Sequence, residues 1–172
     1  SREGRHYITW LNLAMDYAFE NRTRMMARVK EIVAAKIQKY LSREVLFSKE
    51  INCHHNYAAL EHHYGKDVWV HRKGATRARA GELAVIPGAM GSYSYVGSGK
   101  GSEESFCTSS HGAGRAYARK GAMAAFTCEE VMNDLKSQGI VLGKMKKADA
   151  AEESRFAYKD IQKVMENQAD LV

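Results

Sequence analysis

From Tyr7 to Leu41 apolar residues return every three or four positions. Trp10, Leu11, Ala14, Met15, Ala18 and Phe19 form the first part of the stripe. Met25, Met26, Val29, Ile32, Val33, Ile37 and Leu41 continue it. That spacing is the period of an amphipathic helix, and no proline interrupts it. The stretch predicts one long helix or two abutting ones. Its methionines and aromatics are expected in the core, with Arg22, Arg24, Arg28 and Lys30 on other faces. Asn21-Arg22 breaks the stripe and can face either a site or solvent.

The pattern then turns to strands. Val45-Leu46-Phe47 predicts a short strand or turn. Val68-Trp69-Val70-His71 is β-branched and aromatic, as in a buried strand. Leu83-Ala84-Val85-Ile86 predicts a second strand, ended by the chain's only proline in the turn Pro87-Gly88-Ala89-Met90-Gly91. Ser92 to Val96 alternates with period two and predicts a third. Gly97 to Ser102 lacks the Walker spacing and reads as a mobile lid or linker. Helical pattern is expected from Arg115 through Arg119. Thr127 with Glu130 gives a capping-box signature, and its helix carries Val131, Met132 and Leu135 before stopping at Gly139. Ile140-Val141-Leu142 predicts a short strand, and Lys144 to Glu153 a charged surface loop. Asp160 to Gln168 predicts a last helix with Ile161, Val164 and Met165 inward. The fold class is therefore α+β: a long N-terminal helix, central strands carrying loops, then C-terminal helices. A chain of 172 residues is one domain, or part of a larger one, and can bury a real core. Its first residue, a serine inside a helix lead-in, points to a fragment of a longer protein.

Charge narrows the partners a little. Lys and Arg number 26 against 20 Asp and Glu, a formal charge of +6. The excess suits an anionic partner such as a nucleotide or RNA, although a merely soluble basic surface is the first explanation of charge alone. Cys53, Cys107 and Cys128 are odd in number and irregularly spaced. That argues against a disulfide framework and for a reducing compartment, the cytoplasm. No apolar run reaches transmembrane length and no signal peptide opens the chain.

Three stretches carry candidate chemistry. In Ser109-Ser110-His111-Gly112-Ala113-Gly114-Arg115 a histidine precedes two glycines and an arginine. Glycines allow backbone N–H groups to form a concavity that suits phosphate, and an arginine adds a charge-assisted clamp. A histidine there can act as general acid, metal ligand or phosphorus nucleophile. Taken alone, the motif equally fits a surface turn. Between Cys53 and His63, the thiol and the imidazoles of His54, His55, His62 and His63 are ligands of Zn, Mn, Fe or Cu. They match no complete zinc-finger spacing, so the cluster is expected to supply part of a metal site. On an extended segment His54 and His55 point to opposite faces. Finally, Arg72-Lys73-Gly74 places two cations before a glycine, again chemistry suited to phosphate.

Four motifs stand in order: Cys53-His54-His55-Asn56-Tyr57, His71-Arg72-Lys73-Gly74-Ala75, Pro87-Gly88-Ala89-Met90-Gly91 with Ser94, and Ser110-His111-Gly112-Ala113-Gly114-Arg115. Together they closely resemble the RtcB family of RNA-splicing ligases. The resemblance runs from Asn21-Arg22 to Ala157-Tyr158-Lys159-Asp160, nearly the whole chain. It implies an RtcB-like fold and the joining of an RNA 2′,3′-cyclic phosphate or 3′-phosphate to a 5′-hydroxyl, using GTP and Mn²⁺. It implies that His111 is the catalytic nucleophile that carries GMP. Gly112, Ala113 and Gly114 match the loop that holds the nucleotide. His55 matches a manganese ligand and Asn56 a nucleotide contact, while His54 matches no ligand. Pro87, Gly88, Ala89, Met90 and Ser94 match the guanosine pocket, and Tyr158 a residue that packs against guanine. Lys73, Arg115 and Arg119 match cations expected to bind RNA ends or triphosphate.

The sequence also departs from the family pattern. Ala89 stands where many relatives have serine, which removes one hydroxyl contact. The family's other metal ligands, an aspartate and cysteine close together and then two histidines, match nothing before residue 51. Its C-terminal lysine-glycine end is not matched either. The chain is thus expected to be the C-terminal part of a single RtcB-like catalytic domain, trimmed or encoded split, whose missing half or a partner chain completes the metal site. Two other functions stay open: a non-catalytic nucleotide- or RNA-binding fragment, and a metal-dependent phosphoesterase.

Overall fold

The computed structural model describes residues 1–54, 56–143 and 149–172. It divides into two compact units, Ser1–Lys73 and Gly74–Val172.

The first unit opens on a single helix, α1 (Arg2–Leu41), of 40 residues and about 60 Å long. Ser1 caps it by accepting the Gly4 N–H, and Ser42 ends it in the left-handed conformation at φ 51°. Glu20–Arg24 and Arg28–Glu31 pair along its surface, each worth a few tenths of a kcal/mol. The helical period is as expected, but the burial is not: no residue of α1 is buried. Trp10 is 68% exposed and Met25 61%. A stripe at Ile8, Leu11, Met15, Ala18, Arg22, Thr23, Lys30, Ala34 and Ile37 is half-buried. A helix buries only the face that another element covers. Within this unit that cover includes Glu50, Asn52 and His54 and the strand that follows.

Residues 43–54 form no regular structure, so the strand expected at Val45–Phe47 is absent and Leu46 is 88% exposed. This segment is tied to α1 by polar contacts. Lys30 pairs with Glu50. Asn52 accepts from Arg22 Nε at 2.7 Å and donates to Thr23 Oγ1 at 3.0 Å.

Next comes an antiparallel hairpin, β1 (Asn56–His63) and β2 (Lys66–Lys73), in register from Asn56↔Lys73 to His63↔Lys66. Its two turn residues, Tyr64 and Gly65, both have positive φ, 52° and 73°. That is the backbone a type I′ hairpin turn demands. β1 was not expected as a strand, because its inward positions carry Tyr57, Glu61 and His63 rather than a run of alternating apolar residues. In β2 the buried residue is Arg72, 2% exposed, whereas Trp69 is 50% exposed. Arg72 therefore turns inward rather than toward a phosphate. It forks onto Glu61 at 2.6 and 3.0 Å, and its guanidinium lies 5.5 Å over the Tyr57 ring. His63 Nε2 sits 3.0 Å from Glu61 Oε2. Period-two alternation leaves Lys73 on the open face.

The second unit holds two small antiparallel sheets. β3 (Ala75–Arg77) pairs with β6 (Thr108–Ser110), and β4 (Leu83–Ile86) with β5 (Tyr95–Ser98). β5 starts three residues later than its alternation predicts, because Ser92 and Ser94 are spent on the preceding turn. The stretch 97–102 is no mobile lid. Gly99 donates to Glu82 O at 2.8 Å and accepts from Gly81 at 2.9 Å. A Cβ at Gly99 would lie 2.3 Å from the Ala78 carbonyl carbon, so the close approach requires glycine.

Four helices follow: α2 (Arg119–Ala125), α3 (Cys128–Ser137), α4 (Ala150–Glu153) and α5 (Ile161–Glu166). α2 begins four residues after Arg115, not at it. Ala116 and Tyr117 instead both donate to Ala157 O, and Arg115 bridges Tyr158. α3 carries the expected reciprocal box between Thr127 and Glu130. Residues 140–142 are not a strand, and Val141 is 91% exposed. Of the charged loop expected at 144–153, residues 144–148 lie outside the described residues. Its end is α4, whose Ala150 and Ala151 are buried. α5 lies within the helix expected from Asp160 to Gln168, with Asp160 as its N-cap.

Two small cores hold this unit. One joins Val131, Leu135, Ala150 and Ala151 with Met90 and Phe156 packed on it. The other joins Ile86, Ala113 and Ile161 with Tyr95 and Tyr158 around them. At the foot of β3, Arg77 forks onto Glu82 at 2.9 and 2.7 Å. Hydrogen bonds from Arg77 hold the Glu82 carboxyl below its ordinary 4.5, against the opposing effect of partial burial. A lowered carboxylate value stabilises the fold above the unfolded value and loses that contribution as pH falls through the folded one. Glu82→Gln is expected to lower the urea midpoint at pH 7 and leave it nearly unchanged at pH 3. Equal losses at both pH values would contradict this.

Candidate functional site

The His111 loop grows directly from the end of β6. Ser110 N–H donates to Gln168 Oε1 at 2.9 Å, and the Ser110 hydroxyl donates to Gly112 O at 3.3 Å. His111 N–H reaches Gly74 O at 3.5 Å. The Ala113 methyl is buried, 5% exposed, beneath Ile86 and Ile161. It nails the loop to the core. Gly114, at φ 72°, then turns the chain, and its carbonyl accepts from Lys159 N–H at 2.9 Å. Among the described residues the N–H groups of Gly112 and Gly114 have no acceptor. They flank the buried alanine beside a half-buried imidazole.

The second glycine turn lies against the first. Ala113 N–H donates to Pro87 O at 3.3 Å, and a Cβ at Gly112 would stand 3.0 Å from that same oxygen. Within the turn, Gly88 N–H donates to Ser94 Oγ at 3.2 Å and Ala89 N–H to Ser92 Oγ at 2.7 Å. A Cβ at Gly88 would fall 2.0 Å from Tyr93 O, so the turn closes only with glycine there. Met90 fixes the far end: its N–H donates to Glu153 O at 3.0 Å and its carbonyl accepts from Arg155 N–H at 2.9 Å.

Tyr158 stands beside both. Its hydroxyl donates to Glu153 Oε2 at 2.6 Å and accepts from Arg115 Nη1 at 2.7 Å. The Arg115 guanidinium lies 4.6 Å over its ring. Burial, reinforced by the Glu153 carboxylate, pushes the Tyr158 hydroxyl above its ordinary value. Burial pushes the Glu153 carboxyl up as well. The hydrogen bonds from Tyr158 and Arg119 and the two guanidinium charges outweigh it and hold the carboxyl low. Tyr158 also lines an open cavity of about 880 Å³ with Tyr93, Arg155, Phe156 and Ile161.

Arg115 and Arg119 are brought together at Glu153, although only Arg119 lies in α2. Arg119 Nη1 contacts Glu152 Oε1 at 3.0 Å and Glu153 Oε1 at 2.6 Å. Neither glutamate was foreseen as part of the site. The available signal was two adjacent carboxylates closely preceding a motif tyrosine in a basic chain.

Asn56 and Lys73 belong to the first unit. They are cross-strand partners at the open end of the hairpin, and both are exposed. His55 lies outside the described residues. The expected metal cluster does not assemble among the described residues, where no group of three or more His, Cys, Asp or Glu can hold an ion. Strand alternation is the reason. His62 turns outward onto Asp67 at 2.8 Å, while His63 turns inward to Glu61. His54 instead meets the rings of Phe19 and Tyr57.

A histidine followed by two backbone donors unspent among the described residues, on a loop that packs against a second glycine turn and continues into Arg115, can take part in chemistry at phosphorus. The comparisons with known proteins agree with that class. The chain belongs to the RtcB family, whose model, described as tRNA-splicing ligase RtcB, matches residues 1–172. The RNA-splicing ligase RtcB of Escherichia coli K12 is 42% identical over 166 residues, covering 96% of this chain. RNA-splicing ligase RtcB homolog 1 of Entamoeba histolytica is 37% identical over 188 residues, covering 96%. The tRNA-splicing ligase RtcB of Methanococcus maripaludis is 34% identical over 183 residues, covering 95%. The chain spans 39%, 35% and 38% of their respective lengths.

Proposed function

We propose that this chain is the C-terminal part of one RtcB-like catalytic domain and contributes the nucleophile and nucleotide loops of an RNA ligase. The complete enzyme would join 2′,3′-cyclic phosphate or 3′-phosphate ends to 5′-hydroxyl ends, in tRNA splicing or RNA repair, with GTP as the activating nucleotide. The observation that carries the reading is the contact of the Pro87 turn with Gly112 and Ala113. It sets the Pro87 turn against the loop that carries His111.

In this reading a ring nitrogen of His111 attacks the α-phosphorus of GTP. A P–N bond forms, the bond to the β-phosphate oxygen breaks, and pyrophosphate leaves with that electron pair. The free N–H groups of Gly112 and Gly114 receive the negative oxygens of the transferred group. Ser94 and the Pro87–Met90 turn border the base, with Tyr158 against it. GMP then passes to the RNA 3′-phosphate, and the 5′-hydroxyl displaces it. Lys73, Arg115 and Arg119 hold RNA ends or triphosphate. Cys53, Cys107 and Cys128 form no disulfide among the described residues, and the compartment in this reading is the cytoplasm. Among the described residues no helix is long and apolar enough to cross a membrane.

Mn²⁺ belongs to this reading through His55 alone. A catalytic ion takes about three protein ligands, and the described residues supply no such set. No step is therefore assigned to it. A second reading, a fragment that binds nucleotide or RNA without turnover, rests on the chain spanning only 39% of the length of its Escherichia coli K12 relative. Intact mass after incubation with GTP and MnCl₂ separates the two. A GMP adduct on the chain supports the ligase reading. Bound nucleotide without an adduct, even with the N-terminal part of a relative added back, supports the binding fragment.

A further inference from the structure

The two arginines assigned to RNA already have anionic company. Arg119 Nη1 takes one oxygen of Glu152 at 3.0 Å and one of Glu153 at 2.6 Å. Arg115 Nη1 stands 3.6 Å from Glu153 Oε1. Two positive and two negative charges thus close on each other beside the His111 loop.

Orientation alone does not require this arrangement for Arg115. Neutral acceptors already fix its guanidinium: Nε donates to Tyr117 O at 3.0 Å and Nη1 to the Tyr158 hydroxyl at 2.7 Å. Nη2 donates to the Glu152 backbone carbonyl. The Glu153 side chain adds charge to Arg115 but little geometry. Among the described residues Arg119, by contrast, has only the two carboxylates. Its side chain is 61% exposed and that of Glu153 43%, so water reaches the pair and the pair can open. Exposed ion pairs are weak. A phosphate has three acceptor oxygens and up to two charges, so it is a stronger partner for guanidinium than a single carboxylate.

We propose that Glu152 and Glu153 mask Arg115 and Arg119 as internal stand-ins for phosphate, and that an RNA 3′-phosphate end must displace them to bind. The proposal rests on the reading that these arginines contact RNA. The binding-competent fraction is then reduced by the fraction masked, and apparent affinity falls by the same factor.

The test is fluorescence anisotropy with a labelled single-stranded RNA ending in a 3′-phosphate, on the full chain at low ionic strength. Glu153→Gln keeps size and a hydrogen-bonding oxygen but removes the charge. It is expected to tighten binding about three- to fivefold, the scale of one exposed pair. Glu152→Gln is expected to tighten it similarly. Asp170→Asn removes one charge from an exposed position outside the cluster and is expected to change binding less than Glu153→Gln. Equal tightening by Asp170→Asn would reduce the effect to net charge and overturn the proposal. Unchanged or weaker binding in both glutamine variants, with Arg119→Ala still weakening it, would overturn masking and leave the RNA reading standing. Undiminished binding in Arg115→Ala and Arg119→Ala would overturn the RNA reading itself. Circular dichroism of each variant establishes that the fold is retained.

Discussion

Replacing His111 with alanine is expected to abolish the GMP adduct and to lower RNA joining at least about a thousandfold in the completed enzyme. Losses of that order follow when a covalent nucleophile is removed. The substitution should spare the fold. His111 is only half-buried, and the loop is anchored by the Ala113 methyl in the core and by Ser110 on Gln168. Intact mass after incubation with GTP and MnCl₂ gives the first readout, and a gel assay of joined RNA the second. An adduct of undiminished yield on His111→Ala would move the nucleophile elsewhere and end this assignment. The fold check is a chemical unfolding midpoint close to that of the unaltered chain.

Arg72→Ala is expected to show the largest loss of stability, about 3–5 kcal/mol, because it strands the Glu61 carboxylate in the interior. The pair is deeply buried, each side chain 1% exposed. The guanidinium satisfies both carboxylate oxygens in a fork, and His63 shares one of them. Removing the cation takes away both bonds of the fork and leaves the buried carboxylate without its countercharge. Removing both charges at once is a different experiment. Arg72→Met with Glu61→Leu fills similar volume without stranding a charge and is expected to recover much of the loss. Urea unfolding of the full chain measures both. A double variant as unstable as Arg72→Ala would mean that the ion pair is not what the hairpin loses. Had Arg72 been a phosphate-binding cation, as its place before Lys73-Gly74 suggests, its removal would weaken RNA binding and spare the fold.

That contrast shows where sequence reading succeeds and where it fails. Pattern placed α1, β4, α3 and α5, since each is written in its own local period or cap. The depth of burial along α1 was not legible, because periodicity identifies a face and not what covers it. β1 was hidden for a chemical reason. Its inward positions hold Tyr57, Glu61 and His63, so the strand reads as a ligand cluster rather than as alternating apolar residues. Glycine motifs were the most legible part of the site. Gly88 stands where a side chain would collide with backbone and Gly112 where one would crowd it, which is what glycine in such a motif signals. Glu152 and Glu153 were not tied to the site because their partner Arg119 is more than thirty residues away in sequence. A run of charge carries no record of what it will meet.

The burial of Ala113 has a thermodynamic consequence for His111. A loop that carries a reactive group is usually free to open on its own, at little cost, while the body of the protein stays folded. Here the residue two positions beyond the histidine shares a core with Ile86 and Ile161. The loop cannot lift without exposing that methyl and breaking the Ala113–Pro87 hydrogen bond. The free energy of opening the site is thereby linked to that of opening β4 against α5. Substitutions in that core, out of reach of any phosphate, will register as changes in how often His111 is in place.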